Sequence, residues 1–438
     1  MTPKKIIDAG PMHPMQWVAV ALTIGLNALD GFDVLSSAFA GPGIKQEWNL
    51  GPDGLGVVLA MELIGMGVGS LILGGAADKY GRRPTILACL IFMAIGMFMA
   101  AAAATPQSLS AWRFMTGIGI GGMLSAINAV ANEYSSAKGR HFAMAIMVIG
   151  YPIGGFTGGL IVKYLLPAND WRAIFEFGAW ATVTFIPLVW LFIPETPSFL
   201  NMRRPTGALE KINATLARFK LQTLDALPPV EPHHENAKLS DIFGSRYLRT
   251  TILLSLGYSF HALTFYYILK MAPVIISDPQ FAGQSFTKAE GAGVLAYANL
   301  GGAIGGACFG WFMHRFGIKW SSVAALGFSV AAVFYFGMGQ TTLAGWSVAV
   351  ILVQLFTNAA IVGFYSAWAI AYPTHIRATG TGFALSIGRG GAALSPIMAG
   401  LMFKADLGLF GVSAVMGIGS LLAMLMFAML DLKDAEAH

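Results

Sequence analysis

The chain has 438 residues, 56% of them hydrophobic and only 11% charged, with 53 glycines and a formal net charge of +5. Soluble domains carry about a quarter charged residues, so this composition excludes an ordinary soluble enzyme, a disordered chain and a nucleic-acid-binding domain; the basic balance has meaning only relative to a bilayer. Cys89 and Cys308 both fall in apolar runs, which offers neither a disulfide framework nor a metal cluster.

A helix needs about 20 apolar residues to cross a hydrocarbon core of ~30 Å. The first such run, residues 17–40, contains Asp30 and Asp33 and is followed by no small-residue cleavage pattern, so it reads as a span and not as a secretory leader. Further spans are predicted at 54–77, 84–104, 107–132, 141–165 and 171–193, and, beyond a polar stretch, at 248–272, 288–313, 320–339, 343–368, 379–402 and 408–430. The expectation is an all-α integral membrane protein of twelve transmembrane helices in two six-helix bundles, residues 1–193 and 248–438, joined by a cytoplasmic loop at 194–247.

Orientation follows from the basic residues, because loops rich in Lys and Arg stay in the cytoplasm. Nineteen of the 27 fall on the side of the termini and the central loop, and two, Arg113 and Arg389, lie inside spans. The other six, Lys45, Lys163, Arg172, Lys270, Lys288 and Lys404, are assigned to the outer side. Both termini are therefore expected in the cytoplasm. A repeat supports two equivalent halves: the run from Gly74 through Asp78 and Gly81 to Arg82 and Arg83 recurs in degraded form from Gly310 to Lys319, with His314 in place of the acid. Parallel duplication of this kind encloses a binding site at the interface of the halves.

An ionisable side chain in hydrocarbon costs at least about 2.5–3.5 kcal/mol on insertion scales, so each one is a functional candidate. At ~1.5 Å per residue, Asp30 and Asp33 lie about 20 and 24 Å into the first helix, and Arg113 about 9 Å below the outer surface on the fourth. The matching depths suggest a pair between one of the aspartates and Arg113, either a structural lock or a proton-dependent contact. Arg389 is about 15 Å into the eleventh helix, among Gly388, Gly390 and Gly391, with no acid at that depth in its own half. An unpartnered guanidinium there reads as a seat for a substrate carboxylate; the plainer alternative is a backbone contact. Glu62 reads as a second proton site or as facing a water-filled vestibule, and His261 as a proton relay or as simply packed. Asn27, Asn128, Tyr151, His261, Tyr266, Tyr267, Asn299, Gln354, Asn358, Tyr365 and Trp368 form a pool from which a central cavity would be lined. On the cytoplasmic side, Asp78 is placed to bond a neighbouring helix end, Gly81 to permit a tight reversal, and Arg82 and Arg83 to anchor at lipid headgroups.

The run Gly74–Arg83 resembles the loop between helices two and three of the major facilitator superfamily. Arg113 to Gly122, Glu133 to Arg140, Pro194-Glu195-Thr196-Pro197 and Tyr372 to Gly380 agree with it, so the resemblance covers the whole chain. Asp30-Gly31-Phe32-Asp33 and Gly388-Arg389-Gly390-Gly391-Ala392 look like the aromatic acid:proton symporter family, although Val34 stands where that family usually has Thr and Glu62 is not part of its pattern. The resemblance implies that Asp30 and Asp33 couple protons and that the substrate is a benzoate-like carboxylate; their position in the membrane adds Glu62 and Arg113 to the proton-coupling candidates. The resemblance also implies that Asp78, Arg82 and Arg83 form a cytoplasmic gate, to which Gly74, Gly81, Glu133 and Arg140 are expected to belong. The expected function is a monomeric proton-coupled importer of a small aromatic carboxylate in a bacterial inner membrane, with protons as coupling ion and no cofactor, metal or nucleic acid. The alternatives are a sugar or aliphatic dicarboxylate importer or an exporter of the same fold; a membrane enzyme is disfavoured for want of catalytic motifs, and a receptor because it would not need proton-titrating groups.

Overall fold

The computed structural model describes residues 2–73, 75–229, 239–282, 286–372 and 374–430. Among the described residues the regular structure is helical throughout, with twelve long helices. In chain order these are α1 (Pro14–Glu47), α2 (Pro52–Leu73), α3 (Arg82–Ala101), α4 (Pro106–Tyr134), α5 (Arg140–Leu165), α6 (Arg172–Phe192), α7 (Leu248–Ser277), α8 (Lys288–Phe316), α9 (Ile318–Gly337), α10 (Leu343–Ala371), α11 (Thr374–Lys404) and α12 (Gly408–Ala428). Eleven are long and apolar enough to cross a membrane; α11, the helix of Arg389, is 31 residues long but more polar.

The helix ends follow local chemistry. Proline occupies the first turn of α1 and α4, where its missing N–H costs nothing, and Thr105, Thr287 and Thr342 cap α4, α8 and α10 through their side chains. One boundary differs from expectation with consequence. The seventh span does not stop at residue 272: α7 continues through Pro273 to Ser277 on the apolar run Val274-Ile275-Ile276, so Lys270, assigned to the outer side, lies about two turns before the helix end.

Two six-helix halves result, α1–α6 and α7–α12. Within the first, α2 and α4 approach backbone to backbone. A Cβ on Gly65, Gly117, Gly69 or Gly121 would sit 2.1–2.3 Å from a carbonyl oxygen of the facing helix, so only glycine permits this contact. It fixes Glu62 of α2 beside Arg113 of α4.

The halves meet unevenly. At one end they are closed: Lys45 pairs with Asp278, Lys404 with Asp53 at 2.7 Å, and Gly56 and Gly400 press against the carbonyls of Pro396 and Pro52 across the α2–α11 crossing. A continuous core, including Phe39, Leu59, Ile268, Met271 and Ile275, spans both halves there. Toward the opposite end the core separates into one cluster that is mainly of the first half and another of the second. The open ends of α2, α5 and α8 leave Leu71, Ile72, Phe142 and Phe312 exposed.

The central segment is not merely a polar tether. Helices Pro197–Arg203 and Ala208–Arg218 fold back onto the N-terminal helix Pro3–Ala9 through Ile6, Ile7, Phe199, Leu200, Ile212 and Leu216, all at the open end of the first half. Lys4 donates to the carbonyls of Asn132 and Ser135, satisfying the C-terminus of α4, and burial lowers the pKa of its ammonium.

Candidate functional site

The buried charges assemble in two places. Near the closed end, Glu62 Oε2 accepts from Arg113 Nη2 at 2.7 Å, Lys270 Nζ at 3.1 Å and Ser37 Oγ at 2.8 Å. Arg113 also donates through Nε to Ser37 Oγ and through Nη2 to the backbone carbonyl of Asp33, each at 2.8 Å, and its guanidinium lies 5.1 Å from the Phe175 ring centre. Lys270 donates in addition to the Val34 carbonyl. Glu62, Arg113 and Lys270 have no exposed surface, so the vestibule reading of Glu62 is corrected: it is a fully enclosed ion-pair centre.

The expected aspartate–Arg113 pair is corrected as well. Arg113 reaches only the main chain of Asp33, because the glycine-lined α2–α4 contact brings Glu62 within closer range. Both carboxyl oxygens of Asp33 are buried without a hydrogen-bond partner, against Gly178 of α6. Such an isolated carboxyl is far cheaper to bury neutral than ionised.

The second place is central. Arg389 of α11 crosses to the other half and donates to the Met66 carbonyl of α2, so it does have the backbone contact. It is also within electrostatic reach of Asp30, an acid supplied by the opposite half, which a search of its own half missed. Around Arg389 stand aromatic rings. The Tyr258 and Tyr365 centroids are 6.3 Å apart, and each lies against Trp368, at 5.0 and 5.2 Å. Gly388 makes room for the Tyr258 ring, since a Cβ there would come within 2.2 Å of it. Tyr266 lies within electrostatic range of Arg389, and Tyr151 within that of Tyr266 and Asp30. A cation, a carboxyl and several ring faces therefore share one region between the halves.

Other members of the pool lie elsewhere. His261 is fully buried between Ser420 Oγ and the Thr357 carbonyl, and Tyr267 donates to or accepts from Ser413 Oγ; both belong to the packing of the second half. Asn27 donates to the Met147 carbonyl, Asn128 to Leu124 and Asn299 to Leu295, which ties each amide to a backbone. Asn358 donates to Gln354 Oε1 at 3.3 Å. Two residues of the charged region were not foreseen as site residues. Tyr258 lies two turns before Tyr266 on α7, a spacing that could have found it, and Lys270 lies one turn beyond, hidden by its assignment to the outer side.

At the open end, Arg82 bonds Asp78 at 2.9 Å and Glu133 at 3.0 Å, and Arg83 lies 4.5 Å from the Trp190 ring centre. Glu195 accepts from the backbone N–H groups of Arg82 and Arg83, capping α3; burial raises its pKa, against the pull of those amides. Gly81 has φ +113°, and a Cβ there would meet Glu195 Oε2 at 2.3 Å. Gly81→Ala is expected to lower stability by about 1–3 kcal/mol, read as an earlier thermal unfolding transition in detergent. Arg140 is held by Asp8 of the N-terminal helix. Gly74 lies outside the described residues.

The chain matches the family description of the Major Facilitator Superfamily over residues 22–396. It is 28% identical over 436 residues to a gallate transporter of Pseudomonas putida, covering 96% of this chain and 93% of that one. It is 29% identical over 398 residues to the 4-hydroxybenzoate transporter PcaK of Acinetobacter baylyi, covering 88% and 85%. Among solved structures it is similar to the partially occluded, inward-open xylose transporter XylE from E. coli, with TM-score 0.74, 15% identity, and coverage of 96% and 99%.

Proposed function

This chain belongs to the Major Facilitator Superfamily, a family of carriers and not of enzymes, and from that premise we propose that it imports a small aromatic carboxylate together with protons by alternating access. The single observation that carries the reading is the placement of Arg389 within electrostatic reach of Asp30 in a region that holds Tyr258, Tyr266, Tyr365 and Trp368. A guanidinium binds a carboxylate bidentately, and ring faces bury the rest of an aromatic acid. The transporters of gallate and 4-hydroxybenzoate among the relatives favour the same substrate class.

The coupling follows from competition. While Asp30 is ionised, its charge offsets Arg389 and opposes a second carboxylate; a proton on Asp30 frees the guanidinium for substrate. Proton and substrate then bind together, as symport requires. The isolated carboxyl of Asp33 is the other carrier of a proton. The arrangement of closed and open ends is an inward-facing one if the open end, with its Arg82, Arg83 and Arg140, faces the cytoplasm of a bacterium, as the distribution of basic residues favours. The protein would then lie in the inner membrane as a multi-pass monomer with cytoplasmic termini.

The test is uptake of labelled benzoate, hydroxybenzoates, succinate and xylose into proteoliposomes, with and without an inward proton gradient. Gradient-driven accumulation of aromatic acids alone is expected. Asp30→Asn should keep exchange of labelled for unlabelled substrate while losing accumulation by ~10-fold or more, because its site is permanently in the proton-bound form. Accumulation of xylose or succinate alone would refute the substrate class, and an Asp30→Asn protein that still concentrates substrate would refute the coupling role.

A further inference from the structure

We propose that Lys270 is the latch between the halves: the cation with which the second half enters the buried Arg113–Glu62 pair of the first, holding the closed end shut. The ion-pair centre is divided between the halves in a particular way. Glu62, Arg113 and Ser37 all belong to the first half and are bonded to one another through Glu62 Oε2 at 2.7–2.8 Å, while Glu62 Oε1 is buried without a hydrogen-bond partner. Lys270 alone comes from the second half, and it bonds both the Glu62 carboxylate and the Val34 carbonyl of α1. Val34 immediately follows Asp33, whose own carbonyl takes the Arg113 guanidinium.

Three ion pairs join the halves at the closed end among the described residues, and they are not equivalent. Those of Lys45 with Asp278 and Lys404 with Asp53 retain solvent exposure, and exposed pairs contribute little. Lys270 and Glu62 have none, so their contact is not weakened by screening water. Opening the closed end must draw α7 away from α1 and α2, which removes Lys270 from Glu62 and leaves Glu62 to Arg113 and Ser37. The first half therefore keeps a paired carboxylate in both arrangements, and the cost of the change falls on one lysine. That division makes the contact reversible: a carboxylate left wholly unpaired on opening would prohibit the motion. Lys270 is thus a positioning residue, acting on the distribution between the two arrangements and not on substrate.

The inference rests on alternating access but not on the identity of the substrate, and its test uses substrate-free protein. Spin labels at Gln46→Cys and Ala405→Cys, exposed positions at the closed ends of the two halves, report their separation by pulsed electron resonance, in a background with Cys89 and Cys308 replaced by Ser. The otherwise unaltered protein should give one short distance. Lys270→Met removes the latch while Glu62 keeps Arg113, so the protein should fold and show a second, longer distance, with the open-to-closed ratio raised on the order of a hundredfold, within the range that breaking a buried contact spans. Lys270→Arg, which keeps the charge, should return most of the population to the short distance. An unchanged distribution in Lys270→Met overturns the proposal; should that variant fail to fold, the same reading of Lys270→Gln decides. A longer distance that Lys270→Arg does not reverse also overturns it, because the effect would then lie in packing and not in charge. Failure of aromatic acid uptake with a clear shift in Lys270→Met would refute the substrate reading alone.

Discussion

Arg389→Ala should abolish concentrative uptake of aromatic acids, with the apparent affinity for substrate falling ~100-fold or more, while the protein remains folded. Arg389 is only partly buried and donates to a single backbone carbonyl, that of Met66, so little of the fold depends on it. Losing a charged, bidentate partner of a substrate carboxylate costs about 3–5 kcal/mol when the site is dry, which is two to three powers of ten in binding. Binding of labelled 4-hydroxybenzoate to detergent-purified protein separates this from a loss of motion. Arg389→Lys should recover only part of the affinity, since an ammonium cannot make the planar two-point contact. Wild-type affinity in Arg389→Ala would move the carboxylate elsewhere and remove the basis of the coupling scheme.

Gly56→Val should hold the closed end apart and stop transport. A Cβ at Gly56 would lie 2.3 Å from the Pro396 carbonyl oxygen and 3.1 Å from its carbonyl carbon, and backbone cannot yield as the tip of a side chain does. The contact runs between the halves, so the strain is relieved by separating them and not by unfolding either one. The expected result is a carrier with normal helix content and melting, uptake reduced ~10-fold or more, and a lengthened distance between spin labels at Gln46→Cys and Ala405→Cys. The comparison is Gly67→Val, where an added Cβ would meet only Arg389 Cβ, at 3.9 Å. Equal activity in the two variants would mean that the α2–α11 crossing need not close during transport.

The fold was largely legible in the sequence because its determinants are collective. Twelve apolar runs, the basic bias and the repeated Gly74–Arg83 pattern each sum over many residues, so an error of several positions at one boundary changes nothing in the architecture. The site is less forgiving. Ending the seventh span at residue 272 instead of Ser277 put Lys270 at its outer mouth, to be counted with the outer basic residues, although the run Val274-Ile275-Ile276 carries the helix on. The pairing of Asp30 or Asp33 with Arg113 was inferred from equal depth, and depth alone does not state direction: the glycines of α2 and α4 bring Glu62 closer to the guanidinium than any aspartate carboxyl. Likewise no reading confined to one half could find Asp30 as the acid near Arg389, because the contact exists only after the halves assemble. The amides of Asn27, Asn128 and Asn299 were indistinguishable by type from cavity-lining ones; only coordinates reveal that each is already committed to a backbone carbonyl.

The helices that follow α6 return to the very start of the chain, and this bears on how the protein is made. Pro3–Ala9 finds its partners in residues 197–218 and in the end of α4, while Glu62, Arg113 and Ser37 are all synthesised before residue 114. A nascent chain that has reached residue 219 therefore possesses every contact that closes the first half, some ten to forty seconds into translation at about 5–20 residues per second. The second half is delivered against a finished surface. Of its buried charges, the first to arrive is Lys270, and the acceptors it requires, Glu62 and the Val34 carbonyl, are already in place, so assembly of the two halves proceeds by docking onto a preformed receptor.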